Sequence, residues 1–409
     1  MVGHLGAPQL AAVAIGTAAF TASFWIFSFL AYGVTPQVAR ALGKGNTRGA
    51  ADVGVQAIAV ALAAGSLVMI VGLLFAPQIV RLLGGSEEVG SLAVPYLRIR
   101  VLSAVAVLIA QVGHGWLRGA HGTKTAMYIA VTGATANIVL DYVLIYPAGM
   151  GVAGAAWATV IAQTGTAAAF LWVLRPRLSP ARRRVDMGTM RRLLTVGRDL
   201  IVRTGSLLAA MTFAVSLAAR MGITELGAWQ IAMQLFLFLS LLLDSVAIAA
   251  QALIAERLGA ADREGARAIS RRLMELGLGL GVVLGAPIIL LRGPTAGLFT
   301  GDAEVVAAAT GLLLWLGLVQ PIAALAFTLD GIFIGALRTR MLALSMVVAS
   351  ALYAGSAYAF YRAEWGTAGL TAAATIWLGA RVAITGYFFL ERSWIEAGSA
   401  SASSTEALS

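Results

Sequence analysis

Apolar positions in this chain come in long unbroken runs rather than in alternation. Such runs lie near residues 9–34, 52–76, 93–117, 125–147, 152–174, 193–219, 227–254, 272–292, 305–333, 341–361 and 366–390. About 20 apolar residues in a row cross a bilayer as an α-helix, which satisfies its own backbone hydrogen bonds. The pattern predicts an all-α polytopic membrane protein of about eleven transmembrane helices joined by short loops. A membrane β-barrel would instead need short segments of alternating polarity.

The polar positions sort the loops into two kinds. Arg40, Lys44 and Arg48 follow the first run, Lys124 the third, and Arg182, Arg183 and Arg184 the fifth. Arg257, Arg263, Arg267, Arg271 and Arg272 follow the seventh, Arg338 and Arg340 the ninth, and Arg392 the last. Between these lie acidic loops with Glu87, Glu88, Glu225, Asp302, Glu304 and Glu364. By the positive-inside rule the basic loops and the C-terminus are cytoplasmic. The organisation expected is an N-lobe at 1–174, a basic cytoplasmic linker at 175–192, a C-lobe at 193–392 and a Ser/Ala-rich disordered tail at 393–409.

Composition narrows the function. Hydrophobic residues make up 59% and charged residues 12%, too little polar surface for a soluble globule of 409 residues. The net charge of +10 then reads as loop topology rather than a nucleic-acid surface. Glycine is abundant, as close helix packing in lipid requires. With no cysteine and only His4, His114 and His121, neither a thiolate nor a histidine metal site is expected. Nor is there a GxxxxGK[ST] phosphate loop or a convincing nucleophile–base pair. A transporter driven by an H⁺ or Na⁺ gradient, without ATP or other cofactor, is expected rather than an enzyme. Residues Met1 to Pro8 lack the basic start of a cleavable signal peptide.

The chain repeats itself. Gly43 and Gly259 stand 216 positions apart, and the same offset relates Ala39 to Ala255, Gly49 to Gly265, Gly85 to Gly301 and Gly119 to Gly335. Near the end, Gly151 and Gly154 match Gly366 and Gly369 at an offset of 215. Matching loops fall on the same side of the membrane, so the halves are parallel repeats. Two such bundles form a cleft suited to alternating access. The helix expected at 193–219 has no partner in the first half, because subtracting 216 leads to before Met1. The first half is therefore expected to lack its first helix, with eleven spans in place of twelve.

Ionisable groups inside spans are the functional candidates. Asn137 and Asp141 lie four apart on one helix face, and Thr159 sits at similar depth in the next, antiparallel helix. Such a carboxylate with an amide and a hydroxyl beside it suits either a proton or Na⁺. Tyr353 and Ala357 stand at the equivalents of Asn137 and Asp141, so the second half does not repeat this group. Asp244 and Asp330 lie in later spans, and three roles are open to each: a second titrating group, a substrate counter-charge or a packing hydrogen bond. Arg203 and Arg381 are expected to pair with buried acids, Asp199 to favour a helix N-terminus, and His114 and His121 to bond locally. Phe24, Phe27, Phe236, Phe238 and Phe327 are candidates for an apolar lining or for helix packing.

Several segments resemble the multidrug and toxic compound extrusion (MATE) family, in its branch named after DNA-damage-inducible protein F. They are Val2-Gly3-His4-Leu5-Gly6 with Leu10-Ala11-Ala12, Tyr32-Gly33-Val34-Thr35-Pro36, and Gly115 with Leu117-Arg118-Gly119. Further along they are Asn137-Ile138-Val139-Leu140-Asp141, Gly151 to Thr159, and Asp330-Gly331 with Gly335-Ala336. The resemblance implies twelve helices in two lobes and export of cationic or amphipathic compounds in exchange for H⁺ or Na⁺. It also implies a monomer in the bacterial inner membrane. In that branch the residues matching Asn137, Asp141 and Thr159 join an aspartate of the first helix, which would precede Met1, and Tyr142 stands where the family often has proline. Two alternatives remain open: a flippase of lipid-linked oligosaccharide from the same superfamily, and a truncated protein that transports nothing.

Overall fold

The computed structural model describes residues 3, 6–27, 29–181, 186–391 and 394–395, without the side chains of 22–29. His4, Arg182 to Arg184, Arg392 and the side chains of Phe24 and Phe27 lie outside the described residues. The helices are α1 (Ala7–Phe27), α2 (Phe29–Gly43), α3 (Thr47–Leu82), α4 (Glu87–Val101), α5 (Ala104–Gly119), α6 (Thr123–Ile145) and α7 (Gly151–Leu178). They continue with α8 (Met187–Met221), α9 (Ile223–Gly259), α10 (Arg263–Leu290), α11 (Arg292–Gly297), α12 (Ala303–Gly335), α13 (Thr339–Arg362) and α14 (Gly366–Glu391). Among the described residues nine helices are long and apolar enough to cross a membrane, or ten if α4 and α5, bent by 48°, form one span. The remaining expected span, 9–34, falls on α1 and α2, whose described apolar window is Ala7–Thr21.

Contacts divide the chain into two units, Met1–Gly197 and Arg198–Ser409. The offset of the sequence repeat reappears in their helix ends. Residues 87–119 hold α4 and α5, and 303–335 hold α12; α6 and α13 begin at Thr123 and Thr339. The turns repeat as well. Asn46 caps α3 by accepting from the Gly49 N–H at 2.7 Å, and Asp262 caps α10 by accepting from the Gly265 N–H at 2.8 Å. The closing bond Gly122 N–H to Leu117 O recurs as Arg338 N–H to Phe333 O. The residues before these donors, His121 and Leu337, both take the left-handed conformation, at φ 56° and 59°.

Close backbone approach repeats at two glycines. A Cβ on Gly115 would lie 2.7 Å from the Ala31 carbonyl oxygen, and one on Gly331 would strike that of Ala247. Helix α5 thus lies flush against α2, and α12 against α9, which only a residue without a side chain allows. The units differ in other places. The bend between α4 and α5 falls at Leu102 and Ser103, whereas α12 continues unbroken through the equivalent residues.

Three boundaries depart from expectation. Helix α7 continues to Leu178 and α8 begins at Met187, leaving eight residues, 179–186, of the expected linker between them. Asp186 starts α8 by accepting from the Gly188 N–H at 3.0 Å. Asp199 is therefore not at a helix start. It is buried along α8, accepting from the Thr339 hydroxyl at 2.9 Å and paired with Arg198 at 2.8 Å. Trp394 and Ile395 are buried, with Trp394 stacked on Phe389, so packed chain extends past 393.

Candidate functional site

Helices α6 and α7 of unit 1 are antiparallel neighbours, and two glycines fix their register. A Cβ on Gly133 would strike the Thr166 hydroxyl, and one on Gly154 would lie 2.6 Å from the Leu144 carbonyl oxygen. Gly133, Asn137, Asp141 and Leu144 follow one another at steps of four, four and three, a single stripe on α6. Both ends of that stripe touch α7, so Asn137 and Asp141 lie on the face turned toward it. The same register puts Thr159 between the levels of Asn137 and Asp141, one to two residues' rise from Asp141, roughly 1.5–3 Å along the axis.

Within this stripe the polar groups are not joined to one another. The Thr159 hydroxyl donates to the Ala155 carbonyl at 2.9 Å. The Asn137 amide nitrogen is buried and meets no acceptor among the described residues. A buried amide donor left unsatisfied costs about 1–3 kcal/mol. Asp141 is half-buried and bonds to neither Asn137 nor Thr159 among the described residues. Its carboxylate, with the hydroxyl near its level and the amide one turn away, can hold a proton or a small hard cation.

Two further polar groups went unnoticed in the sequence. Thr17 of α1 and Tyr96 of α4 share a hydrogen bond of 3.2 Å, and Tyr96 packs against Ile145 and Val152 at the end of α6 and α7 where Asp141 stands. The repeat holds the one signal that could have found them. The residues 216 positions on are Met233 and Leu312, so only unit 1 is polar there.

Unit 2 gathers a different set. Asp330 of α12 is buried, and its Oδ2 accepts from Arg203 of α8 and, at 2.7 Å, from Arg381 of α14. Arg381 also lies over the Trp377 ring, 4.7 Å from its centroid, and faces Phe327. One carboxylate thereby cross-links three helices. Asp244 is half-buried on α9. Ala247 abuts Gly331 and Gln251 abuts Gly335, so α9 and α12 run parallel and Asp244 stands within a turn of the Asp330 level. Of the remaining candidates, Phe236 is buried, Phe238 is exposed, and the His114 ring meets that of Phe170 at 4.6 Å between centroids, tilted by 60°. His121 ends the α5 turn and is exposed. Among the described residues no group of three His, Cys, Asp or Glu could hold a metal ion.

The MatE family model matches residues 1–143 and 204–358, which covers most of both units. The chain belongs to the MatE family. Its members are transporters, so this is a multi-pass membrane transporter and not an enzyme. DNA damage-inducible protein F of Escherichia coli (strain K12) is 32% identical over 392 residues, spanning 93% of this chain and 84% of that protein. Protein DETOXIFICATION 44, chloroplastic, of Arabidopsis thaliana is 32% identical over 361 residues, spanning 85% of this chain and 69% of that protein. Multidrug resistance protein MdtK of Edwardsiella ictaluri (strain 93-146) is 26% identical over 337 residues, 78% of this chain and 72% of its own. Among solved structures, a MATE crystal structure in the bent conformation superposes with a TM-score of 0.89 at 23% identity, covering 98% of this chain and 91% of that one. At that identity the likeness carries the fold of this MatE chain and nothing further.

Proposed function

We propose that this MatE protein is a secondary antiporter that exports lipophilic or cationic organic compounds in exchange for H⁺ or Na⁺. The observation that carries the reading is the Asn137–Asp141 stripe of α6, turned toward α7 and containing a buried amide without a partner among the described residues. In this reading Asp141 takes up and releases the coupling cation, while Asn137 and Thr159 supply neutral oxygens within one helical turn of it. The names of relatives such as MdtK, a multidrug resistance protein, support the substrate class. Asp330 is engaged by two guanidinium groups, which favours a structural role for it over a titrating one. That engagement also weighs against an oligosaccharide flippase, whose substrate would call on such cations. The basic loops would face the cytoplasm of a bacterial inner membrane, with the C-terminus inside and the protein a monomer.

Transport in proteoliposomes tests this. A pH or Na⁺ gradient is expected to drive uptake of a lipophilic cation by the native chain, and Asp141→Asn to reduce it to the leak of protein-free vesicles. Equal uptake with and without a gradient, or full activity in the variant, would overturn the reading.

A further inference from the structure

Unit 2 holds a half-open pocket walled by α8, α9, α12, α13 and α14. Its lining is built from Trp229, Phe236, Trp315, Tyr353 and Trp377, with Met211 and Met233 between them and no charged side chain. Trp229, Phe236, Tyr353 and Trp377 are buried, so these rings belong to the lobe's interior rather than to its lipid-facing surface.

The repeat gives the cavity its meaning. Tyr353 stands 216 positions after Asn137, and Ala374, another lining residue, 215 after Thr159. Ala357, one turn from Tyr353, is the counterpart of Asp141. The cavity thus occupies in unit 2 the place that the polar stripe occupies in unit 1. Val13, Ile99 and Ala162 of unit 1 correspond to Trp229, Trp315 and Trp377. Three smaller residues are replaced by three indoles, and about 30 Å³ of free space is left between them, less than a ring fills, so a ring enters only where the flexible Met211 and Met233 turn aside.

The wall chemistry selects the occupant. Indole and phenol rings with two thioethers favour flat aromatic groups through offset stacking and sulfur–ring contact. Permanent positive charge is disfavoured, because Arg381 already lies on the Trp377 ring and no carboxylate lines the space. The indole N–H groups of Trp229 and Trp377 are buried and meet no acceptor among the described residues.

We propose that this pocket, its two methionines giving way, seats the uncharged planar aromatic end of an amphipathic compound. The two halves then divide the work at equivalent places, the coupling cation in unit 1 and the aromatic ring in unit 2. The proposal rests on the antiporter reading for the amphipathic class of compound.

Calorimetry on the purified full chain in detergent, with no gradient, tests it independently of transport. The probes are 3-(2-naphthyl)propyl-trimethylammonium and decyl-trimethylammonium, which carry the same charge with and without a ring. The naphthyl probe is expected to bind about tenfold more tightly, the order that one or two good aromatic contacts supply. Ala374→Leu, which fills the cavity, is expected to abolish that difference while leaving the weak binding of the decyl probe unchanged. Met233→Ala, which enlarges it, is expected to shift preference toward an anthracenyl analogue, and so gives a reading even if the filled variant misfolds. Equal affinity for the two probes, or a naphthyl preference that persists in folded Ala374→Leu and does not shift in Met233→Ala, would overturn the proposal. A negative transport assay with this binding intact would count against antiport alone.

Discussion

Helices α6 and α7 of unit 1 and helices α13 and α14 of unit 2 follow the same plan, and they begin at matching turns. What they present at the same depth is opposite in character. Unit 1 offers Asn137, Asp141 and Thr159; unit 2 offers Tyr353, Ala357 and Ala374 beside a pocket of tryptophans. The frame that both halves keep is the part set by backbone contact, namely Gly115 on Ala31 and Gly331 on Ala247. Where side chains meet side chains the halves have diverged. Charge follows the same division. Asp330 has His114 as its counterpart and Arg381 has Thr166, so the buried ionic cross-link belongs to unit 2 alone.

The comparison can be broken most severely at Asp141. Asp141→Asn is expected to remove gradient-driven uptake altogether while leaving binding of the naphthyl probe within about twofold of native, as calorimetry would show. Next in size is Asp330→Ala, which strands the buried Arg381 guanidinium and removes one bond from the half-buried Arg203. It is expected to cost about 3–5 kcal/mol in unfolding by SDS in mixed micelles. His114→Leu at the equivalent position strands no charge and is expected to cost under about 2 kcal/mol in the same assay. A third pair sharpens the likeness instead. Gly115→Ala and Gly331→Ala each drive a methyl group into a backbone carbonyl, and each is expected to cost about 1–3 kcal/mol, with similar values in the two units.

The smallest effect lies at the start of α8. The Thr189 hydroxyl, followed by backbone N–H groups, holds the Asp186 carboxyl below its ordinary range. A carboxylate stabilised this way contributes fully above its unfolded pKa, and the contribution is lost as pH falls through the lower folded value. Hydrogen exchange over 187–192 is expected to quicken as pH falls below about 4, once corrected for the intrinsic rate. In Asp186→Ala the protection of this turn is expected to be low throughout and not to change with pH.

The sequence carried much of this because loop glycines and caps obey local rules. The 216-residue offset, read from Gly43, Gly119 and their partners, returned as matching helix ends and as left-handed turns at His121 and Leu337. Asp330 with Arg203 and Arg381 was foreseeable as well, since buried charges must pair. Helix rotation was harder. Nothing in hydropathy says which face of an all-apolar helix turns inward, so the converging tryptophans of unit 2 were invisible beforehand. Thr17 and Tyr96 passed unnoticed because a lone hydroxyl within a span usually bonds to its own helix. Asp199 was misplaced because α8 begins at Met187, where Asp186 caps it, well before its apolar stretch. The 48° bend between α4 and α5 has neither glycine nor proline at Leu102 and Ser103 to announce it.

Initial rates of gradient-driven uptake of the naphthyl probe, measured against its concentration in proteoliposomes, test the division of labour most directly. Native chain, Asp141→Asn and Ala374→Leu would be compared in one preparation. The account predicts that Asp141→Asn abolishes the maximal rate, and that Ala374→Leu raises the half-saturating concentration about tenfold at an unchanged maximal rate. Loss of maximal rate in Ala374→Leu with its half-saturation unmoved, or native uptake by Asp141→Asn, would contradict it.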